Sequence, residues 1–325
     1  MSMRIIGTGS ALPEKYVTNN DLAELVDTSD EWIRERTGIG GRHVSTGETV
    51  AELAALACGR ALADAGRRAD QVELLIVATC SPETGIPSVA CQVQSSLGAV
   101  NAVAFDLNAA CAGFLFALHT AWAYVQSGIC RNALIVGAEV LSKLVDWTDR
   151  GTCILFGDGA GAVFAEQCDR GGILSFVQHS DGRKGEVLRC DSRALTNPYV
   201  RGVMQSPWVK MDGREVFSFA VRQVPTGITE ALKQAHLKAE EVELFVLHQA
   251  NFRIIEGIAR RLGLDADRFP MNLDRVGNMS SASIPVLLDE LNRAGRLKEG
   301  MKLVLSGFGA GLTWGACVLN WQREC

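Results

Sequence analysis

Three residues of this chain have side chains suited to nucleophilic and acid–base catalysis, although they lie far apart in the sequence. Cys111 lies among small residues, His248 closes an apolar run, and Asn278 lies in a loop of small polar residues. A thiol can form a covalent intermediate, an imidazole can donate a hydrogen bond or shuttle a proton, and a carboxamide donates and accepts hydrogen bonds. We hypothesise that the three side chains share one site.

Each of the three also has a plain structural explanation. A cysteine among apolar neighbours is commonly inert packing, a histidine at a strand end is commonly structural, and the loop at Asn278 also resembles a capped helix start. Cys111 follows the strand-like residues 102–107 and begins a long apolar helix, whose positive end is expected to favour a thiolate. His248 ends a strand, where ligands commonly bind in α/β layers. The hypothesis of a shared site therefore rests on the three residues together and not on any one of them.

The elements that must position these residues occur twice, at an offset near 170 residues. Residues 61–74 and 231–244 share seven identities in fourteen positions, and each segment is typical of a helix followed by an apolar strand. In each copy a second helix then ends at a Leu-Gly pair suited to a left-handed cap. A coincidence between two alanine-rich helices is the alternative, and the ordered series of matches opposes it.

The duplication predicts an α/β fold of two layered halves, residues 1–170 and 171–325, related by a pseudo-twofold axis. The boundary is expected within residues 168–175. At the repeat offset, Asn278 falls where the Cys111 loop falls in the first half, so the axis would bring the two loops together. Residues 180–213 lack clear periodicity and are expected to form an irregular excursion over the site.

Composition excludes several other classes of protein. The chain has 325 residues, 47% hydrophobic, with a net charge of −5, which predicts a globular protein without a nucleic-acid role. The ten cysteines show no paired metal-type spacing, so we expect reduced thiols. Residues 1–12 do not resemble a signal peptide, and the polar residues within 102–125 favour a strand and a buried helix over a membrane span. We expect a cytoplasmic location.

Eight short motifs are spread over essentially the whole chain. They are DTSDEWI at 27–33, RTG at 36–38, NAACAGF at 108–114, TDRG at 148–151, FGDGAG at 156–161, HQAN at 248–251, GN at 277–278 and GAGLTW at 309–314. Together they resemble the β-ketoacyl-acyl-carrier-protein synthase III family, which starts bacterial type II fatty acid synthesis. The resemblance implies a thiolase-like fold with α-β-α-β-α layers.

The resemblance also implies a decarboxylative condensation at a Cys-His-Asn site. Cys111 would attack an acyl-coenzyme A thioester and hold the acyl group covalently. Backbone amides of Cys111, Gly309 and Ala310 would form the oxyanion hole. Malonyl-acyl-carrier-protein would then lose carbon dioxide while His248 and Asn278 stabilise the enolate. The carbanion would attack the acyl-cysteine, and no metal or redox cofactor is implied because both thioesters are substrates.

Coenzyme A would bind residues that match the family's binding motifs. Trp32 and Arg150 would sandwich the adenine, and Arg36 would contact the nucleotide end. Without the resemblance, Trp32 is equally well explained as a core aromatic. The resemblance implies that the pantetheine tunnel is bordered by Arg214, Phe217, Asn251 and Arg253.

A basic stripe is expected on one helix of an otherwise acidic protein. Arg253, Arg260 and Arg261 lie within about 100 degrees of one another on a helix. A solvated face explains the stripe equally well, and the resemblance implies docking of acidic acyl carrier protein there. It further implies a homodimer joined through the sheets of the amino-terminal halves, and neither a nucleic acid nor a membrane as a partner.

Two departures from the family pattern bear on function. Met279 and Ser281 stand within the segment that is commonly GNTSAAS in the family, which is expected to alter loop packing but leaves Asn278 in place. Ile86 falls where some relatives carry a bulky aromatic residue at the end of the partner subunit's acyl pocket. A longer or branched primer is therefore an open alternative to acetyl-coenzyme A.

Three rival functions are weighed against this interpretation. A relative that makes quinolones or polyketide starters shares the site and differs in the acceptor. A cysteine hydrolase also uses Cys, His and Asn, but the coenzyme A motifs and the absence of hydrolase signatures oppose it. A catalytically dead carrier-protein binding module is opposed by the intact set of three residues. Chain-elongating synthases and thiolases place histidine or a second cysteine in the site, and Asn278 fits neither.

Overall fold

The structure, a computed structural model, describes residues 2–203 and 206–323. Its first half contains the strands β1 (Ser2–Ala11), β2 (Tyr16–Thr18), β3 (Gly41–His43), β4 (Leu74–Ala78), β5 (Val103–Leu107), β6 (Asn132–Glu139) and β7 (Gly159–Cys168). Five of these form one sheet in the order β1-β7-β6-β4-β5, while β2 pairs with β3. In the large sheet β4 runs parallel to β5 and β6, and β7 runs antiparallel to β1 and β6.

The second half repeats this arrangement. Its strands are β8 (Ile173–Ser180), β9 (Leu188–Arg189), β10 (Thr196–Asn197), β11 (Val200–Arg201), β12 (Lys210–Met211), β13 (Leu244–Leu247), β14 (Lys302–Gly309) and β15 (Thr313–Asn320). The second sheet has the order β8-β15-β14-β13, which matches β1-β7-β6-β4 in both direction and sequence offset. The predicted duplication is therefore confirmed, and the change of sheet falls between β7 and β8.

The helices complete five layers. They are α1 (Asn19–Ala23), α2 (Asp30–Thr37), α3 (Val50–Ala65), α4 (Val89–Leu97), α5 (Gly113–Gln126), α6 (Gly213–Gln234), α7 (Phe252–Leu262), α8 (Leu273–Val276) and α9 (Ser283–Arg293). As the Leu-Gly pairs predict, α4 and α7 end at Gly98 and Gly263, whose φ angles of 70° and 71° are left-handed.

The two central helices carry the core between the sheets. Phe114 and Leu118 of α5 and Leu287 of α9 pack in one cluster with strand residues such as Ile76 and Leu305. The outer face of the first sheet is covered by α3 and α4, and that of the second sheet by α6 and α7. Because β4 and β13 are covered on both faces, these two strands are continuously apolar.

The structure shows which secondary structure forms in two segments that the sequence left open. The apolar stretch of residues 102–125 forms β5 and α5, and over the ranges given above no helix is both long and apolar enough to cross a membrane. Within residues 181–203 and 206–211 the chain contains a 3-10 helix and the four short strands β9 to β12. As expected for an irregular excursion, parts of this segment cover the cavity described below.

The contact between β1 and α3 gives a test of the fold. A side chain on Gly9 would overlap the backbone of Ala57 and Ala61 in α3, whereas one on Gly59 would meet only a methyl of Leu97 at 3.9 Å. Gly9→Ala should therefore cost about 2 kcal/mol or more through overpacking. Gly59→Ala, inside a helix, should gain roughly 0.5 to 1 kcal/mol. Chemical denaturation measures both, and equal stabilities would contradict the close approach.

Candidate active site

One cavity of about 420 Å³ contains all three candidate catalytic side chains. Cys111, His248 and Asn278 line it together with Gly309 and Ala310, so residues from both halves of the chain meet at one place. Most of the remaining lining is apolar, including Leu141, Leu144, Leu155, Phe156, Leu188, Phe219, Ile254 and Phe308. An apolar pocket with a few convergent polar groups is the usual form of a substrate site.

The Cys111 and Asn278 loops have the same local structure. Each ends in a short 3-10 turn, Ala110–Ala112 or Ser280–Ala282, which leads directly into a central helix. The amide of Ala110 donates to the side chain of Asn108 at 3.1 Å, and that of Ser280 donates to Oδ1 of Asn278 at 2.9 Å. Because Oδ1 of Asn278 is engaged, its amino group is the donor left for the cavity.

Both loops also contain the same unusual backbone conformation. Ala110 and Ser280 have φ angles of 47° and 48°, a left-handed conformation that is unfavourable for residues with a Cβ. Such strain persists where surrounding contacts fix the backbone, and it is common at functional sites. The strain in the first loop immediately precedes Cys111.

His248 is held by the second sheet and is shielded from water. It follows β13, its amide donates to Ser306 of β14 at 2.9 Å, and its side chain is buried beside the ring of Phe308. Burial lowers the pKa of His248 to about 3, which a hydrogen bond with the Ser280 backbone only partly offsets. The imidazole is therefore neutral at physiological pH and can donate a hydrogen bond without carrying a positive charge.

Cys111 does not rest as the thiolate that its position near a helix start predicts, and that expectation is wrong. Burial raises the pKa of Cys111 to about 12, the hydroxyl of Ser280 lowers it, and the carboxylate of Glu139 raises it further. A hydrogen bond from the backbone amide of Cys111 also lowers the pKa, but it does not offset burial away from water. The resting nucleophile is a thiol, so its proton must leave as the sulfur attacks.

Glycine at position 309 allows two backbones to approach each other at the predicted oxyanion hole. A Cβ on Gly309 would lie 2.6 Å from the amide nitrogen of Cys111, which any other residue would have to displace. Gly309 and Ala310 both line the cavity beside Cys111. The three residues assigned to the oxyanion hole therefore lie together.

The predicted coenzyme A residues cluster at α2 and α7. Two guanidinium groups lie over the ring of Trp32, that of Arg36 at 4.2 Å and that of Arg150 at 4.7 Å from its centre. Asn251 and Arg253 donate to the backbone of α2, at Arg36 and Glu35, over 3.0 and 2.6 Å. Arg150 thus stacks on the ring beside which the sequence predicts that the adenine binds.

The other predicted binding residues do not all line the cavity. Phe217 lines the cavity, while Arg214 lies outside its lining, in the first turn of α6. The three residues of the basic stripe, Arg253, Arg260 and Arg261, are all exposed on α7. Ile86 is 92% exposed and does not line the cavity of its own chain.

Several residues at the site were not predicted from the sequence. Cys80, two residues beyond β4, and Cys190, in the excursion over the site, line the cavity, and Glu139, the last residue of β6, contacts Cys80. One feature of the sequence could have indicated Cys80 and Glu139. Both lie at or just beyond the ends of strands, where α/β folds bind ligands. Within residues 2–203 and 206–323, no three His, Cys, Asp or Glu side chains group closely enough to hold a metal ion.

Comparisons with known proteins match most of the chain to one family. The family model of 3-oxoacyl-[acyl-carrier-protein] synthase III matches residues 105–182, and the model of its C terminal matches residues 232–321. A β-ketoacyl-[acyl-carrier-protein] synthase III of Clostridium acetobutylicum is 49% identical over 324 residues, 99% of each chain.

Solved structures give the same result for the fold. The 3-oxoacyl-[acyl-carrier-protein] synthase III of Aquifex aeolicus matches with a TM-score of 0.93 and 41% identity, covering 98% of this chain and 99% of that one. The priming β-ketosynthase of the R1128 polyketide pathway matches with a TM-score of 0.92 and 36% identity, covering 99% and 96%. The predicted thiolase-like fold is confirmed.

The raised pKa of Cys111 predicts how its alkylation depends on pH. Because the thiolate is the reactive form and the pKa lies near 12, the rate with iodoacetamide should rise about tenfold per pH unit between pH 7 and 9. Peptide mass spectrometry resolves Cys111 from the other cysteines, and Cys111→Ala gives the background. A rate that levels off below pH 8 would show that burial does not control this thiol.

Proposed function

The chain belongs to the 3-oxoacyl-[acyl-carrier-protein] synthase III family, also called β-ketoacyl-acyl-carrier-protein synthase III, and we propose that Cys111, His248 and Asn278 are its catalytic residues. The enzyme joins an acyl-coenzyme A primer to malonyl-acyl-carrier-protein, releasing coenzyme A and carbon dioxide, and so initiates fatty acid synthesis. The meeting of the three side chains in one apolar cavity carries the assignment.

The first step is acylation of Cys111. The sulfur attacks the thioester carbonyl and loses its proton, and the tetrahedral intermediate expels coenzyme A, which leaves as a thiol after taking up one proton. Backbone amides of Cys111 and of the Gly309 and Ala310 segment stabilise the oxyanion. Because the acyl group stays on the enzyme while coenzyme A departs, the kinetics are ping-pong.

The second step is decarboxylation of the malonyl group. The neutral imidazole of His248 and the amino group of Asn278 donate hydrogen bonds to the thioester oxygen, where negative charge develops as carbon dioxide leaves. A neutral donor suits this role, because it stabilises the enolate without readily protonating its carbon. The apolar lining also disfavours the malonyl carboxylate relative to neutral carbon dioxide.

The third step forms the carbon–carbon bond. The α-carbon of the enolate attacks the carbonyl of acyl-Cys111, and collapse of the tetrahedral intermediate breaks the carbon–sulfur bond. Cys111 leaves as a thiolate and takes up one proton, which restores the resting thiol. The product is a β-ketoacyl-acyl-carrier-protein, and no metal or redox cofactor takes part in this scheme.

Both substrates arrive on carriers that suit the surfaces around the cavity. Trp32 and Arg150 are proposed to bind the adenine of coenzyme A and Arg36 the nucleotide end, with Arg214, Phe217, Asn251 and Arg253 along the pantetheine path. The exposed arginines of α7 are proposed to guide the acidic carrier protein, since opposite charge speeds encounter. A cytoplasmic site of action fits these two soluble carriers.

A homodimer is proposed through the amino-terminal sheets. β5 is the edge strand of the first sheet, and Val103 on it is 61% exposed. An exposed edge strand can pair with another chain. In such a dimer the exposed Ile86 would be free to close the partner's acyl pocket.

Substitution of the three catalytic residues should separate the steps. Cys111→Ala should abolish acyl transfer, and His248→Ala and Asn278→Ala should slow condensation by about 10² to 10⁴ while leaving measurable acylation. Intact-protein mass spectrometry reports acylation, and release of carbon dioxide from malonyl-acyl-carrier-protein reports decarboxylation. Cys91→Ala, an exposed thiol outside the cavity, is the control. Normal turnover by Cys111→Ala would refute the mechanism.

The primer preference should depend on Ile86. With isoleucine at this position, adducts on Cys111 should form from branched or medium-length acyl-coenzyme A as well as from acetyl-coenzyme A. Ile86→Phe should shift the ratio of kcat/KM values toward acetyl-coenzyme A by about tenfold, because an aromatic ring would shorten the pocket. Mass spectrometry after incubation with an acyl-coenzyme A panel measures the ratio, and an unchanged ratio would remove Ile86 from the pocket.

A further inference from the structure

Ser281 makes a buried connection between the two halves of the molecule. It is 1% exposed, and its hydroxyl lies 2.8 Å from Oε1 of Glu139 and 2.9 Å from the carbonyl oxygen of Ala78. Both partners belong to the first half, whereas Ser281 belongs to the second. An alanine at this position would make neither hydrogen bond, so the connection depends on the hydroxyl of Ser281.

Glu139 is a buried carboxylate surrounded by donors. Hydroxyls of Thr79, Ser81 and Ser281 approach its oxygens at 3.2, 2.5 and 2.8 Å, and the amide and thiol of Cys80 complete the set. Burial raises the pKa of Glu139, and the hydroxyls of Ser81 and Ser281 oppose that rise. A buried carboxylate that accepts this many hydrogen bonds is held firmly in one position.

The duplication shows what these two residues correspond to. At the 170-residue offset Ser281 is the counterpart of Cys111, because both are the second residue of matching 3-10 turns. Glu139 is the counterpart of Gly309, because these residues end β6 and β14. The nucleophile and its neighbouring glycine in one half are thus matched by a hydroxyl and a carboxylate in the other.

The residue next to Ser281 belongs to the catalytic cavity. Ser280 lines that cavity with Cys111 and His248, its hydroxyl lies 3.9 Å from the sulfur of Cys80, and the same hydroxyl lowers the pKa of Cys111. Ser280 is also the strained residue of this loop, with φ at 48°. Its position must therefore be fixed from both sides, by Asn278 before it and by Ser281 after it.

We propose that Ser281 and Glu139 form an inter-half clamp, a pair of positioning residues that holds Ser280 between Cys111 and His248. The clamp deepens the proposed function and rests on it, because it assigns to Ser281 the alignment of the same catalytic groups. It acts at a loop that contains the strained Ser280 and the amide of Asn278 and that shares the cavity with Cys111. Loss of the hydroxyl releases the loop without removing any group that touches substrate.

Ser281→Ala tests the clamp, with Ser283→Ala as the matched control. Ser283 is buried at the start of α9, and its hydroxyl has no partner within residues 2–203 and 206–323. Ser281→Ala should lower kcat for condensation about tenfold with KM for the primer changed less than about twofold, since small misalignments at a reacting centre are costly. Ser283→Ala should stay within about twofold of the parent in both.

A second measurement makes the result independent of substrate. Cys111 is faced by the titratable groups Cys80, Glu139 and His248. Glu139→Gln keeps an oxygen that accepts from Ser281 but removes the negative charge, so Cys111 should react faster with iodoacetamide at a given pH. Ser281→Ala keeps the charge and should instead slow the reaction, because a displaced Ser280 no longer lowers the pKa of Cys111.

The outcomes separate the clamp from the proposed function. If the parent enzyme condenses and Ser281→Ala matches Ser283→Ala in kcat and in alkylation rate, the clamp is overturned while the function stands. If the parent does not condense, the function fails, and the alkylation profiles still decide the clamp. Should Glu139→Gln fail to fold, as loss of a buried acceptor allows, the comparison of Ser281→Ala with Ser283→Ala decides the clamp by itself.

Discussion

The close approach of two loops across the pseudo-twofold axis is the constraint on which the site depends. One loop carries Cys111 and the other carries Asn278, and glycines on the facing strands make the approach sterically feasible. A side chain on Gly137 would overlap the carbonyl of Ser281, and one on Gly309 would lie 2.6 Å from the amide nitrogen of Cys111. Gly137 lies in β6 and Gly309 in β14, so each half contributes one close approach.

Burial of this junction then sets the chemistry. The same exclusion of water keeps His248 neutral and Cys111 protonated, since each charged form would lose its hydration. A neutral donor and a thiol are individually weak reagents. They suit a reaction in which negative charge appears transiently on the substrate, because fixed donors in an apolar cavity stabilise that charge more strongly than water-exposed ones.

The sequence predicted the parts that repeat and missed those that depend on burial. Internal homology was enough to predict two equivalent halves, the glycine caps of α4 and α7, and the meeting of Cys111 with Asn278. The protonation state of Cys111 was predicted wrongly because helix position is visible in the sequence, whereas the depth of the sulfur is not. Glu139 went unnoticed for a related reason, since its donors come from two distant segments and no local pattern joins them.

The site also shows how a duplicated fold becomes asymmetric. The strained residues Ala110 and Ser280 and the anchoring asparagines are alike in both loops, so the backbone frame is retained. Divergence is confined to side chains at matching positions, with a thiol beside glycine in one half and a hydroxyl beside a carboxylate in the other. Because both loops line the same cavity, a second nucleophile there would compete for the same space. The second loop instead serves to align the first, and its strain is useful because it fixes the position of Ser280 in the cavity that contains Cys111 and His248.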